Sequence, residues 1–366
     1  MRRELAELEV ADGVSTCVFG SWARDELTEE SDYDWAVLVD HEFDAYEPAV
    51  AREMLAAIPH LGEDKRRPGK QGVFGVPIAV PELSTKIGLD ADTNTNLTRR
   101  MLLLLESREL HGQARAIAIS QILDRYLNEG VKDFRPPRFL LNDIVRYWRT
   151  ICIDFEGKSS GGGDRKWGTR NAKLRTSRKL LFTGGLIPVL LCRLIERDRM
   201  QDFLIRWFNA TPLDRLATAF LFVDLAEVGV RALGAYDRWI GLMSDKDVRA
   251  ELRDVRYDTR DDSPAFAEIR ELGRGRATRT ARAACRPARA SAAKALRQHR
   301  GQPFEHNAAR VRVARGIGSN RGHACFVQPS ETDDRVLDPR PHIALLDELE
   351  LDPREPAHAP LIDLAG

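Results

Sequence analysis

The strongest constraint on this 366-residue chain is one stretch near its start, GSWARDELTEESDYDWAVLVD, running from Gly20 to Asp40. A β-type run, STCVFG, leads into a Gly-Ser pair, and ten residues after Ser21 two aspartates, Asp32 and Asp34, stand one residue apart before a valine-rich strand. Side chains of a strand alternate between its faces, so Asp32 and Asp34 are expected on one side and Tyr33, Trp35, Val37 and Val39 on the other. Two carboxylates held so close repel unless a cation lies between them, and paired oxygen donors suit hard divalent metals such as magnesium. Gly20 allows tight backbone approach, which leaves N–H groups and the Ser21 hydroxyl to hold phosphate oxygens. Phosphates and metal are therefore expected to meet at one point, the arrangement used in two-metal nucleotidyl transfer.

The rest of the chain has three textures. Residues 1–115 mix strand and helix signals: GVFGVPIAV, closed by Pro81, is a third strand candidate, and TRRMLLLLESREL turns helical. Residues 116–271 hold helical segments such as ISQILDRYLNEG and LDRLATAFLFVDLAEVGVRAL, each ended by glycine or proline punctuation. The expected fold class is α+β, a small mixed-sheet domain over 1–115 followed by an α-helical domain over 116–271. From Arg274 to Arg321 twelve arginines and one lysine face a single acid, Glu305, without apolar periodicity, and the text from Glu331 is acidic and proline-rich. Residues 272–366 thus read either as a disordered basic tail able to touch nucleic acid or as sequence translated out of frame.

Composition excludes little. The 56 basic and 56 acidic residues balance, so net charge points to no partner. No apolar run approaches the roughly 18 to 20 residues of a membrane span, and MRRELAELEVADG carries acids where a signal peptide would be apolar, so a cytoplasmic protein without membrane contact is expected. Five scattered cysteines without a CxxC pair read as reduced thiols, and the histidines form no HExxH zinc motif.

The text GSxARxExTxxSDxD resembles the signature of the DNA polymerase β-like nucleotidyltransferase superfamily, most closely the bacterial branch that includes PII uridylyltransferases and antitoxin-type and antibiotic nucleotidyltransferases. DTNTNLTRRMLLLLESRELHG and LNDIVRYWRTICIDFE are similar to helical segments of the same branch. The resemblance implies that Gly20 and Ser21 hold an NTP, that Asp32 and Asp34 bind magnesium, and that Arg24 and Ser31 support the turn.

The pattern departs from that family in one respect. A third carboxylate is expected on a later strand, yet GVFGVPIAV contains no acid, leaving Glu82 as the nearest candidate ahead of Glu63 and Asp64. Asp40 lies too far along its strand, roughly 20 Å at about 3.3 Å per residue. A second cluster, GDRKWGTRNAKLRTSRK, has seven basic residues and no acid between Arg165 and Lys179, with Lys166, Arg170 and Lys173 on one helix side. These could neutralise a triphosphate or form a solvated surface. Gly161 to Gly163 read as a hinge, Tyr147 and Trp148 as helix packing or base stacking, and Asn142, Asp143 and Arg146 as a surface cluster. The functional expectation is a magnesium-dependent nucleotidyltransferase acting on a hydroxyl of a protein or small molecule; the alternative is a nucleotide-binding regulator with the same fold.

Overall fold

The computed structural model describes residues 13–28, 31–42, 73–128, 130–159, 166–222 and 225–274. The tail after 274, the glycines at 161–163, and Glu63 and Asp64 lie outside the described residues. In chain order the elements are β1 (Val14–Val18), a single turn α1 (Gly20–Ala23), β2 (Trp35–Val39), β3 (Pro77–Ala79), α2 (Val80–Ser84), α3 (Asn94–Glu106), β4 (Arg108–His111), α4 (Ala114–Leu127) and α5 (Arg138–Ser159). They continue as α6 (Trp167–Lys173), a π-helical turn Leu174–Arg178, α7 (Lys179–Leu191), α8 (Met200–Phe208), α9 (Pro212–Phe222), α10 (Ala226–Ser244), α11 (Lys246–Asp254) and α12 (Pro264–Arg274). A small mixed sheet followed by helices is the fold class expected from the sequence.

The sheet has the order β3-β2-β1-β4. β1 is antiparallel to β2, with Val18 opposite Trp35, and antiparallel to β4, while β2 runs parallel to β3. All five residues of β2 are at most 2% exposed, so this strand is covered on both faces, as its near-continuous apolar text requires. β4 is absent from the sequence reading, which ran the preceding helix through RELH. α3 stops because Ser107 turns to extended backbone, its hydroxyl bonding back to the Leu103 carbonyl, and the next four residues then pair with the open edge of β1. All four are half-buried, which hides any alternating pattern.

Two compact units result: Met1–Ile151 with Arg178–Arg215, and Cys152–Ser177 with Leu216–Gly366. In the first, Thr93 caps α3 by accepting from the Asn96 N–H at 3.1 Å. One turn further, Arg100 is fully buried among charges: it donates to both oxygens of Asp92 (3.0 and 2.9 Å), to Asp143 (3.1 Å) and to the Tyr126 hydroxyl (2.8 Å). Tyr126 completes the ring by donating to Asp143 at 2.6 Å. Burial alone would lower the arginine's pKa, but the bonds to Asp92 and Tyr126 raise it, so the cation is held. Of the expected surface cluster, Asp143 is therefore a buried clamp between α3, α4 and α5. Trp148 stacks on Phe182 at 5.1 Å, the helix-packing role read from its spacing. α7 approaches α3 closely at Gly185, where a Cβ would stand 2.4 Å from Leu105.

In the second unit α6 packs at Gly168, where a Cβ would lie 2.5 Å from the Leu252 carbonyl. Trp167 meets Phe266 and Tyr257 with ring centres 5.4 and 5.8 Å apart. Asp245 caps α11 by accepting from the Asp247 and Val248 N–H groups.

Burial raises the thiol pKa of Cys152 to about 11 and of Cys192 to about 12, so both are protonated at neutral pH. Among the described residues no helix is long and apolar enough to cross a membrane.

The Arg100 clamp sets a stability test. Replacing Arg100 with Met leaves Asp92 and Asp143 buried without their cation, and a loss of about 3–5 kcal/mol in urea unfolding is expected. An unchanged midpoint would mean that the clamp contributes nothing.

Candidate functional site

Because β1 runs opposite to both neighbours, its C-terminal end shares one end of the sheet with the starts of β2 and β4. The chain leaves β1 there through Phe19, whose N–H donates to the Asp34 carbonyl at 2.8 Å. That bond extends the ladder by one residue, although β2 itself begins only at Trp35. Asp32 and Asp34 thus stand in the extended segment that feeds the strand. Alternation holds through it: Asp32 is exposed, Tyr33 buried against Trp22 with ring centres 4.9 Å apart, Asp34 half-buried and Trp35 buried.

Gly20 turns the chain with φ +60°, a conformation that side chains with a Cβ rarely adopt. A Cβ at this position would lie 3.0 Å from Oδ2 of Asp34, so the absence of a side chain is what lets that carboxylate lie close against the turn. Ser21 follows in the same turn, and its carbonyl accepts from the Glu26 N–H at 2.8 Å. Just before Asp32, the Ser31 hydroxyl accepts from the Thr28 N–H at 2.9 Å.

Arg24 is fixed by acids. Its Nε donates to Glu26 at 2.7 Å and its Nη1 to Glu106, the last residue of α3, whose side chain is buried. Glu106 also receives Nη1 of Arg178 at 3.4 Å. Tyr147 of α5 is where these charges converge: burial raises its pKa most, Arg178 and Arg24 lower it, and Glu106 and Asp34 raise it. Glu106 and Arg178 are the residues here that sequence reading missed, while Tyr147 was read as helix packing or base stacking. Glu106 reads as the end of an apolar helix, and Arg178 as one member of a basic run.

Glu82, the third-carboxylate candidate, occupies the first turn of α2, is 39% exposed and stands 3.9 Å from Lys86. Lys166, Arg170 and Lys173 belong to the second unit: Lys166 precedes α6, Arg170 is half-buried within it, and Lys173 is exposed at its end. The basic run is divided, since Arg178 and Lys179 belong to the first unit. Among the described residues no three His, Cys, Asp or Glu side chains stand together as a metal-binding group. Asp32 and Asp34 offer carboxylate oxygens of the kind a magnesium ion takes, and Asp34 lies against the Gly20 turn.

Gly20→Ala tests that arrangement. The strained backbone should cost roughly 1–2 kcal/mol of stability, and the added methyl group should weaken NTP binding measured by titration. Binding equal to the native protein's would detach the turn from the nucleotide.

Residues 1–72 match the family described as a nucleotidyltransferase domain, a span that contains Gly20, Ser21, Arg24, Asp32 and Asp34. No curated protein and no solved structure matches the chain. The chain therefore opens with a nucleotidyltransferase domain, in agreement with the polymerase β-like character of its Gly-Ser and aspartate motif.

Proposed function

We propose that this protein moves a nucleoside monophosphate from an NTP onto a hydroxyl of a protein or small molecule and releases pyrophosphate. The observation that carries the reading is Gly20, whose left-handed turn and absent Cβ let the Asp34 carboxylate lie close against the Gly-Ser turn, so that groups suited to phosphate and to metal stand side by side. Asp32 and Asp34 are the residues that would hold magnesium. Bound there, the ion would neutralise phosphate charge and polarise the α-phosphate toward attack.

The remaining roles belong to the chain itself. Backbone N–H groups of the Gly20–Ser21 turn and the Ser21 hydroxyl donate to the phosphates. Arg24 keeps the turn in place through its bonds to Glu26 and Glu106. Arg178, 41% exposed on its side chain, supplies positive charge beside the same buried acid. The acceptor oxygen bonds to the α-phosphorus as the bond to the pyrophosphate oxygen breaks, and the hydroxyl proton leaves to solvent or a base.

One observation favours the second reading, a nucleotide-binding regulator. Glu106, the buried acid at this end of the sheet, is engaged by two guanidinium groups and so is not placed to serve as a third metal ligand.

Transfer of label from each α-labelled NTP, with magnesium, into proteins and small molecules of a cell extract decides between them. Asp34→Asn should lower labelling by at least about a hundredfold, the effect of losing one preorganised charge-stabilising group. NTP binding without labelling by the native protein would establish the regulator, and undiminished labelling by Asp34→Asn would remove the site.

A further inference from the structure

On the flank of β1 away from Asp34 lies a second feature, which shares Arg24 and Glu106 with the support of the Gly-Ser turn. A cavity of about 300 Å³ opens between the end of α1, the start of β4 and the α8–α9 connection, all within the first unit. Four arginines, Arg24, Arg108, Arg115 and Arg215, and two glutamates, Glu106 and Glu109, stand in its wall.

Both glutamates are occupied elsewhere. Glu106 receives Arg24 and Arg178. Glu109 accepts from the Ser15 hydroxyl at 2.6 Å and from the backbone N–H of Arg115 at 3.1 Å, so its carboxylate acts on the Arg115 guanidinium only through space. That guanidinium, on a residue 8% exposed, bonds to neutral acceptors alone: the Ser107 hydroxyl at 2.7 Å, the Ser107 carbonyl at 3.1 Å and Asn209 at 2.9 Å. Arg215, 1% exposed, bonds only to carbonyl oxygens, those of Trp207, Ala210, Phe208, Gly184 and Leu104. Glu106 and Asp214 reach it only through space. Arg108 is partly exposed at the rim and pairs with Asp25 at 2.6 Å, a solvent-facing bond that a competing anion can replace.

Two buried cations without a bonded carboxylate among the described residues, and a third at the mouth paired with Asp25, make a wall that favours negative charge. The volume lies at the bottom of the range for ligand cavities, roughly 300–1,000 Å³, which suits a compact ligand. Planar guanidinium forks match oxyanions bidentately. We infer that this cavity is a binding site for a small phosphate-class oxyanion, orthophosphate or pyrophosphate, with Arg108 and Arg115 as its anchoring residues. The inference stands without the transfer reading, because it uses neither aspartate nor the Gly-Ser pair.

The test is titration of the full chain with orthophosphate and, separately, with pyrophosphate, in magnesium-free buffer, by calorimetry and phosphorus NMR line broadening. Arg115→Gln and Arg108→Gln should each weaken binding at least about tenfold, the loss of one charge-assisted contact. Arg108 is a rim residue, so its variant reports on the cavity even if the Arg115 variant fails to fold. The relative affinities of the two anions say which is the ligand. Absence of binding by the native chain overturns the proposal, and so does binding that Ser21→Ala weakens and Arg108→Gln does not, since the anion then sits at the Gly-Ser turn.

Discussion

β1 is hydrogen-bonded along both edges by antiparallel strands, and the placement of Gly20, Asp32, Asp34 and Arg108 follows from that pairing. An antiparallel neighbour starts where its partner ends, so the exit of β1, the entry of β2 and the entry of β4 must share one end of the sheet. Gly20 leaves by the first, Asp32 and Asp34 enter by the second, and Arg108 stands at the third. Residues 12 to 88 positions apart in the chain are thus neighbours for a topological reason. The Phe19 to Asp34 bond, one step beyond the regular ladder, carries the register into the turn and sets Gly20 against the carboxylate.

The first unit handles buried arginines in two ways, with different consequences. Arg100 is surrounded by Asp92, Asp143 and the Tyr126 hydroxyl, so its charge is met by two bonded carboxylates, the second of which also stands 3.6 Å from Arg146. Arg215 instead faces carbonyls from the last turns of α3 and α8, where helix dipoles place partial negative charge. Burial lowers its pKa to about 9, which still leaves it cationic at neutral pH. A cation stabilised by dipoles keeps its net charge toward its surroundings, and this separates the wall of the cavity beside α1 from the Arg100 core.

How much of this was legible in the sequence depended on whether a role is local. The Gly-Ser pair, the aspartates and the alternation around Tyr33 and Trp35 are set by neighbouring residues, so spacing alone put the turn after β1 and the two aspartates on one extended segment leading into β2. The strand RELH was not legible, because a half-buried edge strand of polar residues carries no apolar alternation and its partner lies some 90 residues earlier, at Thr16 to Val18. Asp143 looked like a surface residue because Asn142 and Arg146 beside it are polar; only the fold brings Arg100 and Tyr126 onto it. Glu106 was hidden in the same manner, since nothing in LLLLE signals that two distant arginines will meet its carboxylate.

α3 joins the core to the site. Arg100 and Glu106 are six residues apart on it, about 9 Å along the axis at 1.5 Å per residue. The first is clamped by Asp92 and Asp143, and the second holds Arg24 and Arg178. Between them Leu105 meets α7 at Gly185, a contact that only a residue without a Cβ permits. A helix pinned at its middle by an ion cluster and along its side by close packing cannot slide without breaking one of them. The position of Glu106, and through Arg24 that of the Gly-Ser turn, is therefore set by buried groups that touch neither phosphate nor metal.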